Sequence, residues 1–231
     1  MLAGIGNSLV TEDRQKNLRD LKRTSILFTW IVFTCVCCFS GLFQPFMQLW
    51  MGKELMLENG MVHSFCVYFA VYEYTRLFNT FKNAAGEWHR DRFRPLISAV
   101  LNLCMNLVMV QFWGLYGILW SSILALAVVE LPWLLHNLFT TVYHGESLKA
   151  YCGLLLPYLL GGCLCWILTW FAAGAIRLGE LLTVVLCGCV SAGIPLLGYV
   201  LLFRRKADFG EAIELLDRTT RGKLHLNRLV R

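Results

Sequence analysis

Three ionisable residues sit inside otherwise apolar stretches of this chain: Glu73, Arg76 and Glu130. A charge at the centre of a bilayer costs about 2.5–3.5 kcal/mol on insertion scales, so such residues face a cavity or a partner and mark function. Glu73 and Arg76 are three apart and can pair along one helix face. At helical spacing that face continues through Asn79 or Thr80 to Asn83. The result is a polar stripe that leads from mid-span to a basic loop. It either lines a water-filled cavity or locks a helix seam. Glu130 precedes Leu131-Pro132, where a proline can bend the helix. It is open to three uses: a cavity carboxylate, a partner for Arg76, or a group near the interface, where its cost is small. Asn102 and Asn106 share a face, and hydrogen bonding between helices is the usual work of such residues.

The loop that follows the stripe, 81–95, reads F-K-N-A-A-G-E-W-H-R-D-R-F-R-P. Lys82, Arg90, Arg92 and Arg94 outnumber Glu87 and Asp91. Basic residues at this position meet phosphate head groups or an anionic lipid substrate, or they only hold the loop on one side of the membrane. For Arg90 and Arg94 the topological role is the expectation.

The elements that must position these residues follow from composition. Hydrophobic residues make up 57% of the 231, charged residues only 16%, and mean hydropathy is +0.57. A soluble domain carries about 25% charged residues. A span needs roughly 20 apolar residues, and six stretches serve: 24–51, 61–81, 95–113, 115–138, 151–176 and 181–203. The expected fold is an all-α polytopic membrane protein, a bundle of about six transmembrane helices. Gly114 alone separates the third and fourth spans, which predicts a tight hairpin. Residues 1–23 read as an amphipathic arm, either the end of a helix whose beginning is missing or a simple interfacial helix. Residues 204–231 form a basic tail. There Ile213, Leu215 and Leu216 suggest a helix on the membrane surface, or the tail is simply solvated.

Charge placement orients the bundle. With both termini inside, the inner segments hold Arg14 to Arg23, the loop cations, Lys149, and the basic residues from Arg204 onward. These are eighteen of the twenty-one Lys and Arg. Only Lys53 and Arg177 fall outside, as the positive-inside rule requires. The net charge of +6 is therefore a topological signal and no indication of nucleic acid.

Chemistry of other kinds finds no residues. The ten cysteines lie in or beside apolar runs, where thiols act as small apolar groups. Three Cys-x-Cys pairs have no His or Cys at zinc-site spacing. The five histidines (63, 89, 136, 144 and 225) are scattered. Arg94-Pro95 lacks the upstream lysine and the later Ser/His motifs of a membrane lipid phosphatase. There is no DxD and no phosphate-binding glycine loop. No cofactor, no metal and no catalytic set is expected, and the chain reads as no enzyme.

Lys82-Asn83-Ala84-Ala85-Gly86, followed by Asp91-Arg92-Phe93-Arg94-Pro95, resembles the loop of bacterial polysaccharide flippases, the oligosaccharide branch of the MOP exporter superfamily. Their pattern there reads approximately K-D-A-A-G, then D-R-Y-K/R-P; Asn83 stands in place of the usual Asp. Ile5-Gly6-Asn7-Ser8 with Thr11-Glu12 is similar to the family's entry to its basic arm. Pro45-Phe46 with Leu49-Trp50 and Gly52-Lys53 is similar to its P-F-x-x-L-W-x-G-K. Phe112 to Gly117 resembles its hairpin, and Glu130-Leu131-Pro132 its E-P with one residue inserted. The resemblance covers nearly the whole chain, most clearly 5–150, and only the second lobe of a two-lobe transporter.

It implies movement of undecaprenyl-diphosphate-linked oligosaccharide across the bacterial cytoplasmic (inner) membrane, with Arg76, Glu73, Lys82, Arg92 and Glu130 as the substrate and translocation residues. It implies membrane lipids, a missing N-terminal lobe or second copy, and the polysaccharide polymerisation machinery as partners. The alternatives are a half-lobe that moves nothing and acts as an interaction protein in polysaccharide assembly, or a membrane enzyme acting on polyprenyl lipids.

Overall fold

A computed structural model of the chain describes residues 13–219. The expectations for residues 1–12, including the Gly-Asn entry and the Thr11 cap, and those for 220–231 lie outside the described residues. Among the described residues there is no strand. The helices are α1 (Arg14–Met51), α2 (Asn59–Ala84), α3 (Arg94–Trp113), α4 (Leu115–Leu124), α5 (Leu131–Asn137), α6 (Leu148–Ala175), α7 (Glu180–Phe203) and α8 (Ala207–Thr219). Between α4 and α5 the chain stays helical, but Ala125–Glu130 widens into π turns; Leu138–Val142 does the same after α5. The fold is an all-α polytopic bundle. Among the described residues five helices are long and apolar enough to cross a membrane: Gln15–Met51, Arg94–Trp113, Leu115–Val142, Leu148–Ala175 and Glu180–Phe203. At 26 residues α2 is long enough but less apolar.

The basic run from Arg14 to Arg23 and the apolar stretch after it form one helix of 38 residues. Several hydroxyls inside the apolar helices are satisfied locally. Ser25, Thr29 and Thr34 donate to carbonyls one turn back, at Leu21, Ser25 and Trp30. Thr75 and Thr169 do the same. Back-bonding of this kind lets a hydroxyl live away from water. All ten cysteines are free thiols.

The described chain divides into two compact units, one of residues 13–19 and 64–151, the other of 20–63 and 152–219. In the first unit Phe78, Phe139, Tyr143 and Tyr151 are buried together. Phe139 and Tyr151 rings lie 5.2 Å apart, and Phe78 meets Tyr151 edge-on. The α3–α4 hairpin turns at Gly114, whose φ of +53° is strained for any residue with a Cβ. Three residues on, a Cβ at Gly117 would lie 2.2 Å from the Met109 carbonyl oxygen, so glycine there is what lets α4 close on α3. Asn106 then donates to Asn102 at 3.1 Å, and the Ser121 hydroxyl bonds Asn106 across the hairpin.

In the second unit Trp30, Tyr158, Tyr199, Phe203 and Phe209 form an aromatic core, all buried. Trp30 Nε1 donates to the Pro195 carbonyl at 3.1 Å, and the Tyr199 hydroxyl to the Tyr158 carbonyl at 2.7 Å. Helix α6 admits its neighbours through Gly161 and Gly162, where added Cβ atoms would collide with the Phe203 and Phe33 rings. Small residues at such contacts are how helices pack where lipid gives no hydrophobic drive.

Helix α8 packs one face into the second unit, where Phe209, Ala212 and Ile213 are buried. Phe209 lies 5.8 Å from Trp30 and 6.1 Å from Phe203. The apolar stripe begins four residues earlier than Ile213, Leu215 and Leu216 suggest. Arg23 Nη2 pairs with Glu211 at 2.8 Å at the rim, with side chains 27% and 47% exposed. Phe209→Ala should therefore cost about 3–5 kcal/mol, the usual cost of a core aromatic truncation. Arg23→Ala should cost about 0–1 kcal/mol, as exposed ion pairs do. Thermal unfolding of the purified protein in detergent separates the two: equal melting shifts would mean that α8 is held by charge and not by its apolar face.

Candidate functional site

The loop between α2 and α3 closes on itself before it places any charge. Gly86 has φ +73°, the left-handed conformation that ends helices. Its N–H donates to the Asn83 carbonyl at 3.1 Å, and Glu87 N–H to the Lys82 carbonyl at 3.3 Å. Asp91 N–H then donates to the Trp88 carbonyl and Arg94 N–H to the Asp91 carbonyl. Helix α3 starts there, with Pro95 in its first turn, where a missing N–H costs nothing. The turn thus sets Asp91 and Arg94 three residues apart beside the last turn of α2.

These residues build a buried ionic network. Lys82 Nζ donates to Asp91 Oδ2 at 2.6 Å. Arg94 grips the same carboxylate with two nitrogens: Nε to Oδ1 at 2.7 Å and Nη2 to Oδ2 at 2.9 Å. Its Nη2 also donates to Asn79 Oδ1 at 3.0 Å, and its Nη1 pairs with Glu130 Oε2. Lys82, Asp91, Arg94 and Glu130 are 4%, 3%, 5% and 8% exposed. Two cations meet two anions, so the cluster is neutral, and the fork geometry of Arg94 gives the strongest class of charge-assisted hydrogen bond. Burial alone would raise the Asp91 carboxyl; the hydrogen bonds and charges of Arg94 and Lys82 outweigh it and hold it below its ordinary range. Lys82 Nζ also lies 4.8 Å from the Trp88 ring centroid.

Higher on α2, Arg76 Nη1 bonds Glu73 Oε1 at 3.0 Å, the i, i+3 pair that the spacing suggests. Arg76 is 62% exposed and Glu73 18%. Thr80 bonds the Arg76 carbonyl, and Asn83 keeps a buried Oδ1 with no partner among the described residues. Arg92 is exposed, with its guanidinium 4.6 Å from the Phe93 ring centroid.

The structure therefore sorts the five residues chosen from sequence into three places. Lys82 and Glu130 join one network through Asp91 and Arg94. Glu73 and Arg76 form their own pair. Arg92 stands apart on the surface. Glu130 is the partner of Arg94, not of Arg76. Arg94, expected only to hold topology, is the hub of the network, and Asp91, in sequence only a counter-charge to the loop cations, is the carboxylate it grips. The signal that could have found them is local: an acid and a base at i, i+3 immediately before the proline of a helix start.

Searches against protein-family models, curated proteins and solved structures find no match to this chain.

Removing one member of a buried pair strands its partners and costs about 3–5 kcal/mol. Asp91→Asn should lose that much at neutral pH. Because the folded carboxyl titrates below its ordinary value of about 3.9, its contribution is complete above that value and fades as pH falls through the lowered one. The melting gap between wild type and Asp91→Asn should stay constant down to about pH 5 and narrow only below about pH 4. A gap that closes near pH 6 would show that another group carries the stability.

Proposed function

We propose that this chain is the C-terminal part of a transporter that flips undecaprenyl-diphosphate-linked oligosaccharide across the bacterial cytoplasmic membrane, with the α2–α3 loop on the cytoplasmic side. The observation that carries the reading is Arg76. It lies on a helix with enough residues to span a bilayer, yet its side chain is 62% exposed and its carboxylate partner among the described residues, Glu73, is 3.0 Å away on the same helix. A guanidinium there suits a diphosphate, whose oxygens match its donor fork. The resemblance of the loop and its flanks to the flippase family supports the same substrate.

The residues divide the work. Arg92, exposed at the loop, draws the anionic head group toward the membrane. Arg76 receives it in a medium where charges attract more strongly than in water. Glu73 holds Arg76 until the diphosphate displaces it, and is then free to take a proton or cation during the return. Lys82 and Glu130, locked with Asp91 and Arg94, keep the loop in place while this happens.

The test is transport in cells that depend on this protein for surface polysaccharide. A charged hydrogen bond is worth about 1.5–3 kcal/mol, so Arg76→Ala should slow flipping roughly ten- to a hundredfold, at unchanged protein level. Arg76→Lys should retain more activity, and lipid-linked repeat units should accumulate in the inner leaflet. Undiminished transport by Arg76→Ala would overturn the reading.

A further inference from the structure

A groove of about 610 Å³ runs along the first unit beside the ionic network. Its volume is within the roughly 300–1,000 Å³ of small-ligand sites. Ile97 of α3, Val128 and Val129 of the π-wound stretch, and Trp133 of α5 supply an apolar wall; Arg90 and His136 supply a polar end. Val128 is 65% exposed and Ile97 41%, so the wall is open surface. The helical segments that form it, Arg94–Trp113 and Leu115–Val142, are two of those with the length and apolarity to cross a membrane.

We propose that this groove binds an anionic phospholipid of the surrounding bilayer, its phosphate on Arg90 and His136 and an acyl chain along Ile97, Val128 and Val129. Three observations converge on that occupant. Lys82 and Arg94 are neutralised by Asp91 and Glu130, whereas Arg90, four residues before Arg94, is exposed and makes no ion pair among the described residues. The groove is also lined by Asn137, which is 7% exposed and whose buried Nδ2 has no hydrogen-bond partner among the described residues; a turn of that side chain toward the groove would let a phosphate or ester oxygen satisfy it. Finally, the apolar wall continues directly from Arg90 and His136 along helices of membrane-spanning length, and basic pockets between such helices hold anionic head groups. A free phosphate would use Arg90 and His136 and leave the wall bare.

Occupancy reaches the network through the backbone. The π-wound stretch Ala125–Glu130 turns Val128 and Val129 to the groove while Glu130 pairs with Arg94. Single π turns inside helices often sit at functional sites. An acyl chain against the two valines braces the turn that carries Glu130. The proposal does not depend on the transported substrate, and Arg90 has no part in the transport reading, so the two can fail separately.

The experiment measures the melting temperature of the purified protein in detergent against added phosphatidylglycerol, phosphatidylcholine and inorganic phosphate, with native mass spectrometry to count bound lipid. Phosphatidylglycerol should raise the melting temperature and stay bound; phosphatidylcholine and phosphate should not. Arg90→Gln, a surface change outside the network, should weaken phosphatidylglycerol binding about fivefold, as loss of one interfacial cation does. Val128→Trp should block the site. Equal binding of the two lipids, full stabilisation by phosphate alone, or an unchanged phosphatidylglycerol response in Arg90→Gln would each overturn the proposal.

Discussion

The carboxylate of Asp91, held between Lys82 and Arg94, is the constraint on which the first unit depends. Charges buried beside apolar helices must be neutralised where they stand, because leaving one unpaired costs about 3–5 kcal/mol, as much as truncating a core aromatic. Here the neutralisation is shared. Asp91 takes two cations, and the second of these is completed by Glu130. One acidic side chain thereby fixes the end of α2, the turn from Gly86 to Phe93, the start of α3 and, through Glu130, the helix beyond the hairpin. The hairpin itself needs only glycine at 114 and 117 and the Asn102–Asn106–Ser121 bonds.

Much of the fold was legible because lipid imposes a simple rule on sequence. The apolar runs at 95–113 and 181–203 coincide with α3 and α7 to within one residue at each end, and the turn at Gly114 follows from one glycine between two such runs. The same rule is blind where a helix continues out of the apolar zone. Arg14 to Arg23 is amphipathic and basic, so hydropathy places a boundary at 24 where the backbone has none. Phe209 in α8 escapes the rule for the opposite reason: one aromatic in a polar segment carries no hydropathy signal, yet it is fully buried, with the rings of Trp30, Tyr158 and Phe203 around it. The π turns were invisible as well. Pro132 read as a kink, but the helix widens just ahead of it, where Leu131 N–H reaches the Leu126 carbonyl. A proline clashes with the carbonyl four residues back, and the wider turn relieves that contact.

The candidate site was legible in membership and not in pairing. Glu73, Arg76 and Glu130 stand out because an ionisable residue in an apolar run needs a reason. Glu73 and Arg76 are neighbours on one helix, so spacing alone pairs them. Glu130 and Arg94 are 36 positions apart, and only packing brings them together. Arg94 reads as a topological charge because a cation that orients a span and a cation that anchors a network have the same sequence signature: a basic residue at the edge of an apolar run.

That ambiguity points to a way of reading the cations of such a chain. Lys82 and Arg94 are buried and matched by carboxylates, so their charge is spent on architecture and projects little field. Arg76, Arg90 and Arg92 are exposed, and of these only Arg76 has an ion pair among the described residues, with a carboxylate on its own helix. The matched set must be rigid to stay neutral, since any separation exposes a buried charge. The exposed set gains from a phosphate whatever its source, because an anion adds a partner and strands no other group. Placing the rigid, neutral cluster directly beneath the loop lets the exposed arginines keep fixed positions without lending them its carboxylates. The arginines available to an anion are therefore those left outside the network that holds their loop.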